Sequence, residues 1–206
     1  MMSEDTKVQV DPIQMKIQQA FPKVFDQFTT EDVVISDVGL KKYINLNTRG
    51  SAHTSGKLTR RQLGKANVSL VERMVNNIMR TEDFTGKKTK AYTAVKDAFL
   101  IINKKTKKNP LQILIQAIEN SAPREEVTRL RFGGISVPKA VDISPSRRLD
   151  IALRNICTGA VKSSYKNKKT ISDCLANEIL VASRGELESF AVGKRDEIER
   201  VAASAR

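Results

Sequence analysis

Asn109-Pro-Leu-Gln-Ile-Leu-Ile-Gln-Ala-Ile-Glu-Asn120, a segment turning about Gly133-Gly134, and Ser144-Pro145 ahead of Arg147-Arg148 together decide the fold. Asn109 is suited to cap a helix and Pro110 to occupy its first position. Leu111, Leu114, Ile115 and Ile118 then recur at helical spacing. That helix stops before Pro123. The Gly-Gly pair marks a hairpin over about residues 127–143, because glycine takes positive φ without steric cost. Ile135, Val137, Val141 and Ile143 alternate as a return strand does, and Pro138 is tolerated because a free ribbon has open edges. Arg124, Arg129, Arg131 and Lys139 lie on or beside the hairpin, and no carboxylate stands between Glu126 and Asp142. Such a ribbon suits a phosphate backbone better than a protein core.

Helices are predicted on both sides. Leu70, Val71, Met74, Val75, Ile78 and Met79 recur at helical spacing, with Ser69 and Glu72 as a capping box. Tyr92, Val95, Phe99 and Ile102 mark a second helix, and Asn109 opens the third. Ser144-Pro145 repeats the start signal ahead of Leu149, Ala152, Leu153 and Ile156. Ile171, Leu175 and Ile179 mark a fifth, closed by Arg184-Gly185 with glycine where left-handed geometry is needed. Residues 194–205 form a last, more polar helix. The fold class is therefore mainly α: a bundle of about six helices, one protruding β-hairpin and an extended N-terminal segment.

The 206 residues include 36 basic and 23 acidic ones, a net charge of +13. Residues 1–40 hold three lysines against seven acids, a net of −4, which leaves +17 on residues 41–206. The chain divides accordingly into an acidic extension (1–40), a basic linker rich in glycine (41–66) and a helical domain (67–206). Within the extension Ile13, Ile17, Ala20 and Phe21 allow a short helix before Pro22, while Val33-Val34-Ile35 and, just beyond it, Tyr43-Ile44 suit short extended pieces. The linker is expected to be mobile without a partner. A domain so charged repels itself and is expected against a polyanion, nucleic acid first. No lysine-rich amphipathic helix with a bulky aromatic face points to a membrane surface. Met1-Met2-Ser3-Glu4-Asp5 lacks the basic start and apolar run of a signal peptide, and no apolar run reaches the ~18 residues of a membrane span. Cys157 and Cys174 are too few for a disulfide framework and read as buried free thiols, so a reducing compartment is expected.

No catalytic constellation emerges. His53, the single histidine, lies in the basic linker beside Thr54, where a solvated or RNA-stacking role fits better than a general base. Two cysteines seventeen positions apart do not make a zinc site. Gly86-Lys87-Lys88-Thr89 imitates the tail of a phosphate-binding loop, but Thr81 stands where that motif needs glycine. Glu125-Glu126 is explained by solvation and by Arg124 alongside. Cofactor, metal and small-molecule substrate are accordingly expected to be absent. The cations, in contrast, cluster. Between Lys57 and Lys96 stand ten basic residues and three acids, several on loops at helix ends. Aromatics are scarce, with Tyr165 as one candidate stacker that packing explains equally well, which favours reading RNA by shape and backbone.

Several segments together resemble one family, the universal small-subunit ribosomal protein number seven, called number five in older eukaryotic naming. They are Val71-Glu72-Arg73, Gly86-Lys87-Lys88, Asn109-Pro110-Leu111-Gln112, Pro123-Arg124-Glu125, Ala140-Val141-Asp142-Ile143-Ser144-Pro145 with Arg147-Arg148, Cys157-Thr158-Gly159-Ala160, Lys169-Thr170-Ile171 and Arg195-Asp196-Glu197-Ile198-Glu199-Arg200-Val201-Ala202. The likeness runs from about Asp32 onward and leans eukaryotic rather than bacterial, given the acidic extension and the early chain end. Arg129-Leu130-Arg131-Phe132 and Val137-Pro138-Lys139 are more apolar than the arginine-rich eukaryotic hairpin.

The resemblance implies a structural protein, not an enzyme, that binds the 3′ major domain of small-subunit rRNA and helps nucleate the subunit head. Its hairpin would reach the messenger exit channel near exit-site tRNA, and other partners would be neighbouring proteins of the head. The rRNA contacts are then expected at Lys57, Arg60, Arg61 and Lys65, at Lys87, Lys88 and Lys90, at Arg147 and Arg148, and at Lys162, Lys166, Lys168 and Lys169. Arg129, Arg131, Gly133, Gly134 and Lys139 are expected near messenger and tRNA. The location is expected to be cytoplasmic, with a nucleolar stage if the source is eukaryotic. The competing reading is a free-standing helical nucleic-acid-binding protein, but no helix groups Arg, Asn and Gln at its start as a recognition helix does.

Overall fold

The computed structural model describes residues 23–30, 32–47, 53–80 and 84–206. The short helix expected at Ile13 to Phe21 lies outside them. A two-residue ribbon, β1 (Lys23–Val24) and β2 (Phe28–Thr29), precedes a single helical turn, α1 (Val38–Lys41). Two 3-10 turns follow at Lys57–Arg60 and Gly64–Asn67. Then come α2 (Leu70–Ile78), α3 (Lys88–Thr106) and α4 (Pro110–Ser121). The hairpin strands are β3 (Glu125–Phe132) and β4 (Ile135–Asp142), and the chain continues through α5 (Pro145–Ser164), α6 (Ile171–Arg184) and α7 (Phe190–Ser204). Among the described residues, six long helices and one protruding hairpin match the predicted architecture.

Of the two Pro-containing start signals, Asn109 caps α4, whereas Ser144 holds the N-cap position of α5 without a side-chain capping bond. Asn109 accepts a hydrogen bond from the Leu111 N–H at 3.1 Å, with Pro110 in the first turn as its fixed φ favours. Ser69 occupies the capping position of α2 but makes no capping bond, so the predicted capping box does not form. Tertiary contacts take its partner instead: Glu72 turns inward and accepts from the Thr54 N–H at 2.8 Å and from Lys88 at 3.0 Å. At the other end of the bundle Gly185 closes α6 at φ +73°, the expected left-handed stop.

The core gathers the apolar stripes of all six long helices. Leu111, Leu114, Ile115 and Ile118 of α4 are fully buried, as are Leu175 and Ile179 of α6, which lies against α3, α4, α5 and α7. Each such side chain contributes about 1.5–3 kcal/mol through removal from water. Cys157 and Cys174 are buried free thiols, and burial pushes Cys157 up to about 12, which leaves it unreactive.

From Lys23 onward the acidic stretch shares this core. Phe25 meets Phe99 edge-on at 5.6 Å and Tyr92 at 5.1 Å, and Leu40 and Ile44 are buried. Residues 33–37 run extended along α4. The Gln112 amide bonds both ways to the Val34 backbone, at 2.8 and 3.0 Å, and Glu119 accepts from the Ser36 and Asp37 N–H groups at 2.7 and 3.0 Å. Side chains of a helix thus serve the extended segment in place of a neighbouring strand.

The hairpin spans residues 125–142, slightly earlier than predicted. Its turn residues Gly133 and Gly134 stand at φ +54° and +88°, the geometry that only a primed turn needs. Ile143 lies beyond the return strand and is buried at the base. Helix α7 clamps that base. The Ala140 N–H donates to the Ala205 carbonyl at 3.2 Å, the Arg124 N–H to Glu199 at 2.9 Å, and Arg206 pairs with Glu125.

Candidate nucleic-acid interface

The segment expected to be a mobile linker is tied down where it is described. Thr54, through its N–H and its hydroxyl, donates to Glu72, which is 2% exposed. At the other end Lys65 pairs with Asp150 of α5, and the Asn45 amide donates to the Asn67 carbonyl at 2.7 Å. Between these anchors the two 3-10 turns pack on one another so closely that a Cβ at Gly64 would sit 1.9 Å from the Leu58 carbonyl oxygen. Arg60 and Arg61 project outward from this platform, both exposed.

A cleft of about 460 Å³ opens between the platform, α2 and α5. Arg61, Lys65, Arg73, Arg80 and Arg154 line it together with Asn76 and Asn77, and among the described residues Asp150 is the single carboxylate of its walls. Arg73 reaches Asp150 at 2.6 Å. Burial alone would raise the Asp150 carboxyl, but hydrogen bonds from Lys65 and Arg73 and their charges outweigh it and hold the group below the ordinary carboxylate range. A cleft with that excess of cations suits phosphate, which guanidinium groups grip in a planar fork.

The expected RNA contacts divide by their surroundings. Lys57, Arg60, Arg61, Lys90, Lys168 and Lys169 are exposed, and so is Lys87. Lys162 stands over the Phe190 ring at 4.4 Å and Lys166 over Tyr165 at 5.4 Å, so the latter ring is exposed with a lysine upon it. Lys65, Lys88 and Arg147 are each in an ion pair, with Asp150, Glu72 and Glu126 respectively. Arg148 is folded away: it pairs with Asp37 at 3.0 Å, donates to the Pro123 carbonyl at 3.2 Å and is 12% exposed. The geometry brings Arg61 and Lys65 to one cleft and leaves the Lys162–Lys169 group at the far end of α5.

The cleft residues that sequence reasoning missed are Arg73, Arg80, Arg154, Asn76 and Asn77. A signal for some of them was there. Arg73, Asn77 and Arg80 follow one another at four and three positions, and Arg147 precedes Arg154 by seven, so each set shares a helical face.

On the hairpin, register places Arg129 opposite Pro138 and Arg131 opposite Ser136 on one face, and Leu130 opposite Val137 and Thr128 opposite Lys139 on the other. Arg129, Arg131 and Lys139 are exposed, and Ile135 is 70% exposed. The protrusion is thus two-faced rather than uniformly basic.

The family model described as ribosomal protein S7p/S5e matches residues 42–206. Among similar proteins, one from Picrophilus torridus is 58% identical over 183 residues, covering 89% of this chain and 98% of its own length. Others from Thermoplasma volcanium and Methanothermobacter thermautotrophicus are 56% and 51% identical, over 89% and 88% of this chain. All three carry the name small ribosomal subunit protein uS7. These relatives are archaeal, so the eukaryotic lean drawn from the acidic extension is corrected, and the nucleolar stage tied to it goes with it. On the match over most of its length and on these identities, the chain belongs to the ribosomal protein S7p/S5e family.

Proposed function

We propose that this chain binds the 3′ major domain of small-subunit rRNA through the cleft face, takes part in nucleating the subunit head, and extends its hairpin toward the messenger exit channel near exit-site tRNA. As a family member it is a structural, rRNA-binding constituent of the small ribosomal subunit and not an enzyme. The observation that carries the finer reading is the cleft itself. Among the described residues, five cations from three separate elements converge on about 460 Å³ around one carboxylate, a convergence that a merely solvated surface does not require. The hairpin supports the second half, since its distal cations are exposed and its base is clamped by α7, so the tip is held away from the bundle.

Two measurements test the halves separately. Replacing Arg60 and Arg61 together by alanine removes two exposed cations without touching the core, and should weaken binding to a folded 3′ major fragment about tenfold at unchanged helical content. Unchanged affinity would place the RNA elsewhere. Crosslinking from Arg131 or Lys139 in intact ribosomes should capture messenger or exit-site tRNA. Capture of neither, with rRNA captured instead, would assign the hairpin to rRNA alone.

A further inference from the structure

We propose that Asp150 and Glu72 are positioning residues for RNA: by clasping the two ends of the basic loop 54–65 they set which polyanions this face accepts. The inference rests on the rRNA-binding reading above and deepens it. A carboxylate on a phosphate-binding face, as Asp150 is, repels the ligand, so its presence there calls for a compensating task, while Glu72 is buried outside the cleft walls. Both acids share the same arrangement. Asp150 holds Lys65 from the loop and Arg73 from α2, while Glu72 holds Thr54 from the loop and Lys88 from α3. Each therefore ties one end of the loop to a helix and orients a helix cation in the same act. The paired turns between them, closed over Gly64, turn those two anchors into a fixed spacing for Arg60 and Arg61.

Fixed spacing matters for a folded RNA, whose phosphates are themselves fixed, because cations already in place do not have to be ordered on binding. It matters little for an unstructured strand, which adapts to a mobile loop as readily as to a fixed one. The two roles an acid can have here thus predict opposite signs. If the carboxylates only subtract charge, removing one raises net charge by one unit and tightens every RNA. If they position the loop, removing one weakens folded RNA despite the added positive charge.

The test uses the full chain with Asp150→Asn and, separately, Glu72→Ala, against a folded 3′ major-domain fragment and against poly(U), each over a range of salt. Both variants should bind the folded fragment about tenfold more weakly, with a salt slope shallower by about one, and poly(U) as tightly as wild type or more so. Asp150→Glu should restore the folded fragment. Binding of the folded fragment as tight as wild type in both variants overturns the proposal while leaving the rRNA reading intact. Wild type that does not prefer the folded fragment over poly(U) overturns both. The carboxylates sit on different helices, so if one variant loses helical content the other decides. Loss in both makes them folding groups and overturns the proposal as well.

Discussion

Arg147 and Arg148 are adjacent on α5, yet one lies out on the surface against Glu126 while the other is folded against Asp37 and the Pro123 carbonyl. The difference follows from direction: on a helix, neighbours point about 100° apart, so one can face solvent and the next the junction with the N-terminal segment. Burial works to raise the Asp37 carboxyl, but the Arg148 charge and the N–H groups of Gly39 and Leu40 outweigh it and hold it below the ordinary carboxylate range. A depressed acid contributes stability that is present above its unfolded pKa and lost as pH falls through the folded one. Arg148→Ala should therefore cost about 2 kcal/mol near pH 7 and distinctly less at a pH below the lowered carboxyl range of Asp37, where its charge is lost. Urea unfolding at the two pH values measures it. An equal cost at both would mean that packing, not the ion pair, is what Arg148 supplies.

The hairpin is an element whose base and tip have different duties. Its base is bound through Ala140 and Glu125 to Ala205 and Arg206, just past the end of α7, whereas residues 135–139 are exposed along their length. Register pairs Thr128 with Lys139, so the deletion that preserves pairing replaces residues 129–138 with a two-glycine turn. That variant should keep the helical content and a thermal midpoint within about 4 °C of wild type, since surface changes of this kind are worth about 0.5 kcal/mol. It should still bind the rRNA fragment. Circular dichroism and fragment binding report the result, and a collapse of the helices would show that the distal ribbon is part of the core.

At the scale of the whole molecule, residues 41–206 carry a net +17 while the apolar stripes meet inside. If about six phosphates are neutralised, affinity for the folded rRNA fragment should fall on the order of a thousandfold between 50 and 200 mM salt. Filter binding across that range tests it. A flat isotherm would remove the electrostatic account of this face.

The six long helices and the hairpin were legible because each carries its own local signal: apolar spacing of 3.6, Asn109-Pro110 and Gly185 at helix ends, Gly133-Gly134 at the turn. The clusters of lysine and arginine were equally legible, since charge is a property of composition, and the motifs sufficed for the family. What no local pattern carried was the choice of partner. Glu72 serves Thr54 and Lys88 instead of capping α2, Arg148 serves Asp37 instead of solvent, and Lys65, Arg73, Arg80 and Arg154 share one cleft although more than eighty positions separate the first from the last. Phe25 joins Phe99 from the turn of a ribbon whose strands are two residues long, too short for any periodicity to announce it. Helical period and turn chemistry act between residues a few positions apart, so the sequence by itself determined the elements and the charge. Ion pairs and burial depend on which surfaces meet, and only the tertiary structure decided those.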